Sequence, residues 1–346
     1  MLFEPVNLFK GKLIRINMMK VPSSVLLCLL ITCLGASACY EPIANTSDSG
    51  SNQSESVFPE PESTAGESDP DSNKGSNSAK EEELVKEQGP ANGGFRANFE
   101  SNLKRHGIDP GSVLDTSNAV ESRILAEYGA VFLTTADPPS KVMFTSEPEV
   151  SSFQSNAGSV AERFGGVTIE LQPEAMNALK KAASVADSRG LKITPRDGAE
   201  AGRRSYAKTL DLWNSRFLKA ADHWRSKGRL TADQVSRLKS LPIKEQVSEV
   251  LELEKSGIYF NTFFNNSILY SVAAPGTSQH LSMLAFDVSE FQNAEVRNIL
   301  AEHGWFRTVQ NDEPHFTYLG LKESDLPSYG LKKVSKNGGD YWIPDI

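Results

Sequence analysis

Between Tyr40 and Asn92 the chain is built mostly from Ser, Asn, Pro, Gly and Glu, and large apolar residues such as Val57, Phe58 and Leu84 are few. A segment this poor in apolar surface cannot bury enough of it to offset the entropy of ordering, so residues 40–92 read as a disordered tether. The tether also holds the acidity: residues 40–90 carry twelve Asp and Glu against three Lys, while the whole chain has a net charge of only −8. What remains for folding is close to neutral, which argues against a nucleic-acid partner.

Upstream lies the hydrophobic run VPSSVLLCLLITCLGASAC, residues 21–39, preceded by Lys20 and ending in Ala36, Ser37 and Ala38. That length with a small-residue end predicts an export signal over residues 1–39 rather than a membrane span, which needs about 20 strongly apolar residues. Met18 or Met19 offers an ordinary start with Lys20 as the basic region. Cys39 stands directly after the small residues and resembles the bacterial lipobox cysteine, so it is the expected lipidation site; Ala36-Ser37-Ala38 also suits plain cleavage. Cys28 and Cys33 leave with the signal, so the exported domain has no cysteine pair for a disulfide.

The folding part is therefore residues 93–346, within the usual size of one domain. AVESRILAEYG (119–129), EAMNALKKAASVADSRG (174–190) and AEVRNILAEHG (294–304) have helical spacing and end on Gly. A long helix is expected from about Ala199 to Ser226, and IKEQVSEVLELEKSG (243–257) adds another. Thr231 and Gln234 give TADQVSRLKSL a capping box. AVFLTT, GGVTIELQ, LKIT, SILYSVAAPG, MLAFDV and HFTYLG read as strands. Strands joined by long helical insertions predict an α+β fold.

Of five histidines, His106 and His303 stand before a helix-ending Gly, where imidazole complements the helix dipole, and His223 reads as a solvated helix residue. His280 stands where the turn PGTSQ meets MLAFDV, and in that strand Asp287 shares a face with Met283 and Ala285. A carboxylate there is costly unless it is paired or binds metal. In QNDEPHFTYLG (310–320), Asp312 and Glu313 precede His315. A catalytic zinc needs three N or O ligands, an open fourth position and a nearby carboxylate. His280, Asp287 and His315 can supply the ligands, and Asp312 or Glu313 the base.

Ser278, His280, Ala285 and Asp287, followed at a distance by an acid and His-Phe, resemble the S-x-H-x-x-G-x-A-x-D and E-x-x-H motifs of the zinc D-alanyl-D-alanine carboxypeptidases and dipeptidases of the vancomycin-resistance type. PGTSQH is similar to the carboxypeptidase branch. Over residues 165–320 the resemblance implies a small antiparallel sheet with helices packed around it, the hedgehog/D,D-peptidase zinc fold, with Zn²⁺ on His280, Asp287 and His315. It also implies a substrate-holding arginine, either Arg196 after LKIT or Arg204 in RRSYAKT, and a substrate contact from Ser278. The sequence departs from the motif twice: Met283 stands at the family glycine, and Asp312 rather than Glu lies three residues before His315. The expected activity is trimming of peptidoglycan stem peptides in the periplasm or cell envelope, by a protein tethered to a membrane through Cys39. Other bond specificities (L,D or endopeptidase) would leave the site unchanged, and a non-catalytic wall-binding lipoprotein is the rival reading.

Overall fold

A computed structural model describes residues 93–336 and 339–346. The export signal, Cys39 and the acidic tether lie outside the described residues. The described chain opens with helices α1 (Gly94–Arg105), α2 (Pro110–Val113), α3 (Ala119–Tyr128) and α4 (Glu147–Ala157). A hairpin of β1 (Val160–Phe164) and β2 (Val167–Leu171) leads into α5 (Pro173–Ser188), α6 (Tyr206–Ser226), α7 (Ala232–Ser240) and α8 (Ile243–Lys255). Then come β3 (Ala285–Asp287), α9 (Ala294–Glu302), β4 (Trp305–Phe306), β5 (His315–Tyr318) and a closing hairpin of β6 (Leu331–Lys336) and β7 (Gly339–Pro344). The fold is α+β: the described residues form three small antiparallel sheets, β1–β2, β3–β5–β4 and β6–β7, with helices around them.

The elements that the sequence announces most clearly are those with both periodicity and a stop signal. On α5, Met176, Leu179, Ala182 and Ala186 are buried on one face. The capping box at Thr231 is formed in both directions. On α6, Ser205 caps the Lys208 N–H, and Trp213, Phe217, Ala220 and Ala221 make one buried face. Phe217 stacks on Phe260 at 5.9 Å, and the Trp213 indole donates to Gln246 at 2.8 Å.

Four expectations need correction. AVFLTT is not a strand: Gly129–Leu133 is a buried 3₁₀ turn, and an apolar run buried all round does not reveal its period. SILYSVAAPG likewise gives a 3₁₀ turn at Ile268–Tyr270, because the Glu254 carboxylate accepts the Ile268 N–H at 2.7 Å and takes that backbone away from any ladder. LKIT forms no strand, since the Thr194 N–H goes to Glu290 and Pro195 has no N–H to continue the single bridge it makes with Val288. The long helix begins at Tyr206, after a separate turn at Gly198–Ala201.

Two apolar clusters hold these parts. The larger includes Phe286, Phe316 and Trp305 from the three-stranded sheet. The smaller gathers Phe144, Val150, Phe153, Tyr206 and Leu281, so α4 and α6 grip the 3₁₀ turn Gln279–Ser282 through Leu281. Just before that turn, Gly276 has φ +80° and a Cβ on it would lie 1.8 Å from the Phe144 carbonyl oxygen, so only glycine fits.

The turn ends at Met283, where the strand predicted from MLAFDV is cut short. Met283 takes the left-handed conformation, φ 58° and ψ 29°, with its side chain fully buried. The backbone thus adopts what a glycine would adopt there, at a cost of roughly 1–2 kcal/mol offset by roughly 1.5–3 kcal/mol for burying the methionine. Met283→Ala should lose the burial and keep the strain, costing about 2–5 kcal/mol. Met283→Gly loses the same contacts but releases the strain, so it should match or exceed the alanine variant by up to about 1 kcal/mol in urea unfolding. A glycine variant clearly weaker than alanine would show that this backbone is not strained.

Candidate metal centre

In the antiparallel register of β3 and β5, Asp287 lies directly opposite His315. Cross-strand partners have Cβ atoms about 4.5–5.5 Å apart, so this pairing alone brings a carboxylate and an imidazole together. The third residue, His280, comes from the turn that feeds β3. His280 Nε2 lies 3.1 Å from His315 Nδ1 and 3.3 Å from Asp287 Oδ1, and His315 Nδ1 lies 3.2 Å from the same oxygen. All three residues are buried.

The second nitrogen of each ring settles which atoms are bare. His280 Nδ1 lies 2.8 Å from the Gly202 carbonyl, which can only accept, so His280 carries its proton there and Nε2 is a lone pair. Gly202 makes that approach possible by lying flat against β2: a Cβ on it would meet the Glu170 carbonyl oxygen at 2.7 Å. His315 Nε2 faces Gln279 Oε1 at 2.8 Å. The Gln279 amide is fixed because its nitrogen donates to the Tyr128 carbonyl at 2.8 Å, so its oxygen must accept from His315. Both imidazoles therefore aim unprotonated nitrogens at the Asp287 oxygen.

Two lone pairs and a carboxylate oxygen held this close repel one another unless a cation sits among them. Ligand atoms 2.0–2.1 Å from a tetrahedral ion are separated by about 3.3–3.4 Å. The observed 3.1–3.3 Å spacing is close to the edge of such a tetrahedron. His280, Asp287 and His315 fit a metal ion of the zinc type.

Around this trio the chain fixes each ligand again. Arg204 Nη2 donates to Asp287 Oδ2 at 2.6 Å, which leaves Oδ1 for the cluster, and Arg204 Nε donates to the Glu200 carbonyl at 3.0 Å. Burial opposes charge on Asp287, but in the metal-free protein attraction and hydrogen bonds from His280 and His315 in their protonated forms outweigh it and hold the carboxyl well below the usual carboxylate range. Burial pushes the His280 imidazole down to about 4, with Asp287 only partly opposing.

A cavity of about 230 Å³ is lined by two of the three, His280 and His315, and also by Ser278, Arg204 and Asp312. Asp312 reaches solvent at the cavity while the surrounding protein desolvates it; burial raises its pKa, His315 opposes and Asp287 adds to the rise. Glu313 is not among the lining residues, and it lies near Arg307 and Tyr341 instead. Arg196 is not in the lining either: its guanidinium lies 5.3 Å from the Phe291 ring centroid, and its contribution is a backbone N–H donated to the Asp287 carbonyl at 2.8 Å. Of the two arginines singled out by sequence, only Arg204 reaches the cavity.

Gln279 and Gly202 were not anticipated. Gln279 is a polar residue directly before His280, and asking what satisfies the second nitrogen of His315 would point to such a neighbour. Gly202 acts through its main chain, so it carries no signal in sequence.

No family model and no curated protein matches the chain. Among solved structures it is similar to a mutant of the vancomycin-resistance D,D-pentapeptidase VanY from a VanB-type resistance cassette in complex with Zn(II), at 19% identity over 51% of this chain and 86% of that chain, with a TM-score of 0.29. It is also similar to VanYB in complex with D-alanine-D-alanine, at 19% identity over 50% and 83%, with a TM-score of 0.28. Likeness at this level leaves the chemistry to be read from the site's own atoms.

Two expected outcomes follow from the cluster. Arg204→Met keeps all three ligands but frees Asp287 to rotate, so metal affinity measured by chelator competition should fall about 10–100-fold. Unchanged affinity would mean that Asp287 is held without its partner. In metal-stripped protein, the unfolded chain protonates His280 below about pH 6.5 while the folded chain waits until about pH 4. The unfolded state binds the extra proton across that window, so stability should rise with pH from about 4 to 6.5. Thermal melts should show that rise, and it should shrink in His280→Asn; an identical profile in both proteins would remove His280 as its source.

Proposed function

We propose that this chain is a zinc peptidase of the D,D-carboxypeptidase type that trims peptidoglycan stem peptides. The observation that carries the reading is the close cluster of His280, Asp287 and His315, whose two histidines line a cavity that Asp312 also lines. Two histidines, one aspartate and an open position are the pattern of a catalytic zinc rather than a structural one. The substrate class follows the resemblance of PGTSQH and of the acid before His315 to that family. In the same reading the protein is exported to the periplasm or cell envelope and anchored to a membrane through Cys39, with the tether giving the domain reach.

When bound, Zn²⁺ lowers the pKa of a water to about 7 and polarises the scissile carbonyl. The chain's own groups do the rest. His280 and His315 offer neutral lone pairs, fixed by Gly202 and Gln279. Asp287 brings the single negative charge and Arg204 balances its outer oxygen. Asp312 accepts the proton of the attacking water and hands it to the leaving amine nitrogen. Burial raises its pKa above the ordinary aspartate value, the direction that favours taking up a proton. Ser278, half-buried in the cavity lining, is placed to hydrogen-bond the substrate.

The test is D-alanine release from a stem pentapeptide by the zinc-loaded protein, with metal content measured beside it. Asp312→Asn should keep stoichiometric zinc and lose about 10²–10⁴-fold in rate. Glu313→Gln should change the rate by no more than about twofold, because it stands outside the cavity. Full activity in Asp312→Asn would remove the proposed base, and a wild-type protein with full zinc and no turnover would favour a wall-binding role.

A further inference from the structure

The cavity has a wall that the chemistry above leaves unused. Thr209, Leu212 and Arg216 line it from α6, spaced three and four residues apart on one helix face. Thr209 is already occupied, donating to the Tyr206 carbonyl and accepting the Gly276 N–H at 3.2 Å. Arg216 is not. Its Nη1 donates to Ser215 Oγ at 2.6 Å, but its Nε is buried without a hydrogen-bond partner, and it forms no ion pair among the described residues. The neighbouring loop adds a second donor: the Asn311 side-chain nitrogen is also buried without a partner, and Asn311 lines the same cavity.

A guanidinium with a buried, unanswered N–H in the wall of a cavity is matched by an anion that enters the cavity. Its planar fork fits a carboxylate with two parallel hydrogen bonds. Arg204, the other arginine in the lining, already gives the Nε–Nη2 edge of its fork to the Glu200 carbonyl and Asp287. The same lining includes Leu212, Leu269, Val272 and Ala273, apolar surface suited to a small side chain. At about 230 Å³ the space is below that of a drug-sized site and fits the end of a peptide rather than its middle.

Resting on the peptidase reading above, we propose that Arg216 is the receptor for the free terminal carboxylate of the substrate. The site then selects peptides that end within the cavity on a residue with a small side chain, and it discriminates against chains that continue past it. Arg216 binds and positions; it takes no part in proton transfer.

The experiment is calorimetric titration of the full chain, zinc-loaded and zinc-stripped, with D-alanyl-D-alanine and with its C-terminal amide. Wild type should bind the acid at least about tenfold tighter than the amide in the zinc-loaded form and keep a preference for the acid in the stripped form. In Arg216→Gln that ratio should fall to within about twofold while zinc content stays stoichiometric, and Arg216→Lys should recover part of it. A wild type indifferent to acid and amide, or one that binds neither, overturns the assignment without any variant. So does an Arg216→Gln protein that keeps the full ratio. Absent D-alanine release with an intact, Arg216-dependent acid preference would overturn the peptidase reading and leave Arg216 as a carboxylate receptor. Release with no acid preference would do the reverse.

Discussion

Everything near the site follows from one electrostatic constraint: two bare imidazole nitrogens and a carboxylate oxygen are held within 3.1–3.3 Å of one another in buried surroundings. Such an arrangement is stable only if something else fixes each group. Here every ligand has its own restraint. The Gly202 carbonyl holds one ring, the Gln279 amide the other, and Arg204 the far side of the carboxylate. The rest of the local fold exists to place those three restraints. β2 sets Gly202, the 3₁₀ turn before β3 sets Gln279 and His280, and the start of α6 sets Arg204.

Much of this was legible in the sequence, for a physical reason. His280, Asp287 and His315 are polar residues in apolar company, and such residues must have partners, so their isolation is itself a signal. The helices with a stop signal, α3, α5, α8 and α9, were readable because period and punctuation agree. The failures have one origin as well. AVFLTT and SILYSVAAPG are apolar enough to be buried on every side, so their period carries no information, and distant groups such as Glu254 decide their backbone.

The site's supporting residues divide in the same way. Arg204 was visible as one of two candidates, but only the tertiary arrangement shows it bound to Asp287 while the Arg196 guanidinium lies against Phe291. Nor could the sequence separate Asp312 from Glu313, adjacent acids that differ in whether they meet the cavity. Met283 shows a different limit. The sequence suggests that a bulky residue cannot sit where a left-handed backbone is needed, yet its burial offsets the strain, and the turn keeps its shape.

The two apolar clusters give the metal centre a further meaning. His280 rides on a turn whose Leu281 is packed in the smaller cluster with α4 and α6, whereas Asp287 and His315 flank Phe286 and Phe316 of the larger one. An ion held by all three would tie the two clusters together at a second place, since α6 already joins them through Tyr206 in the smaller and Trp213 and Phe217 in the larger. Its binding energy would then add to the packing that holds the turn of His280 against the sheet of Asp287 and His315.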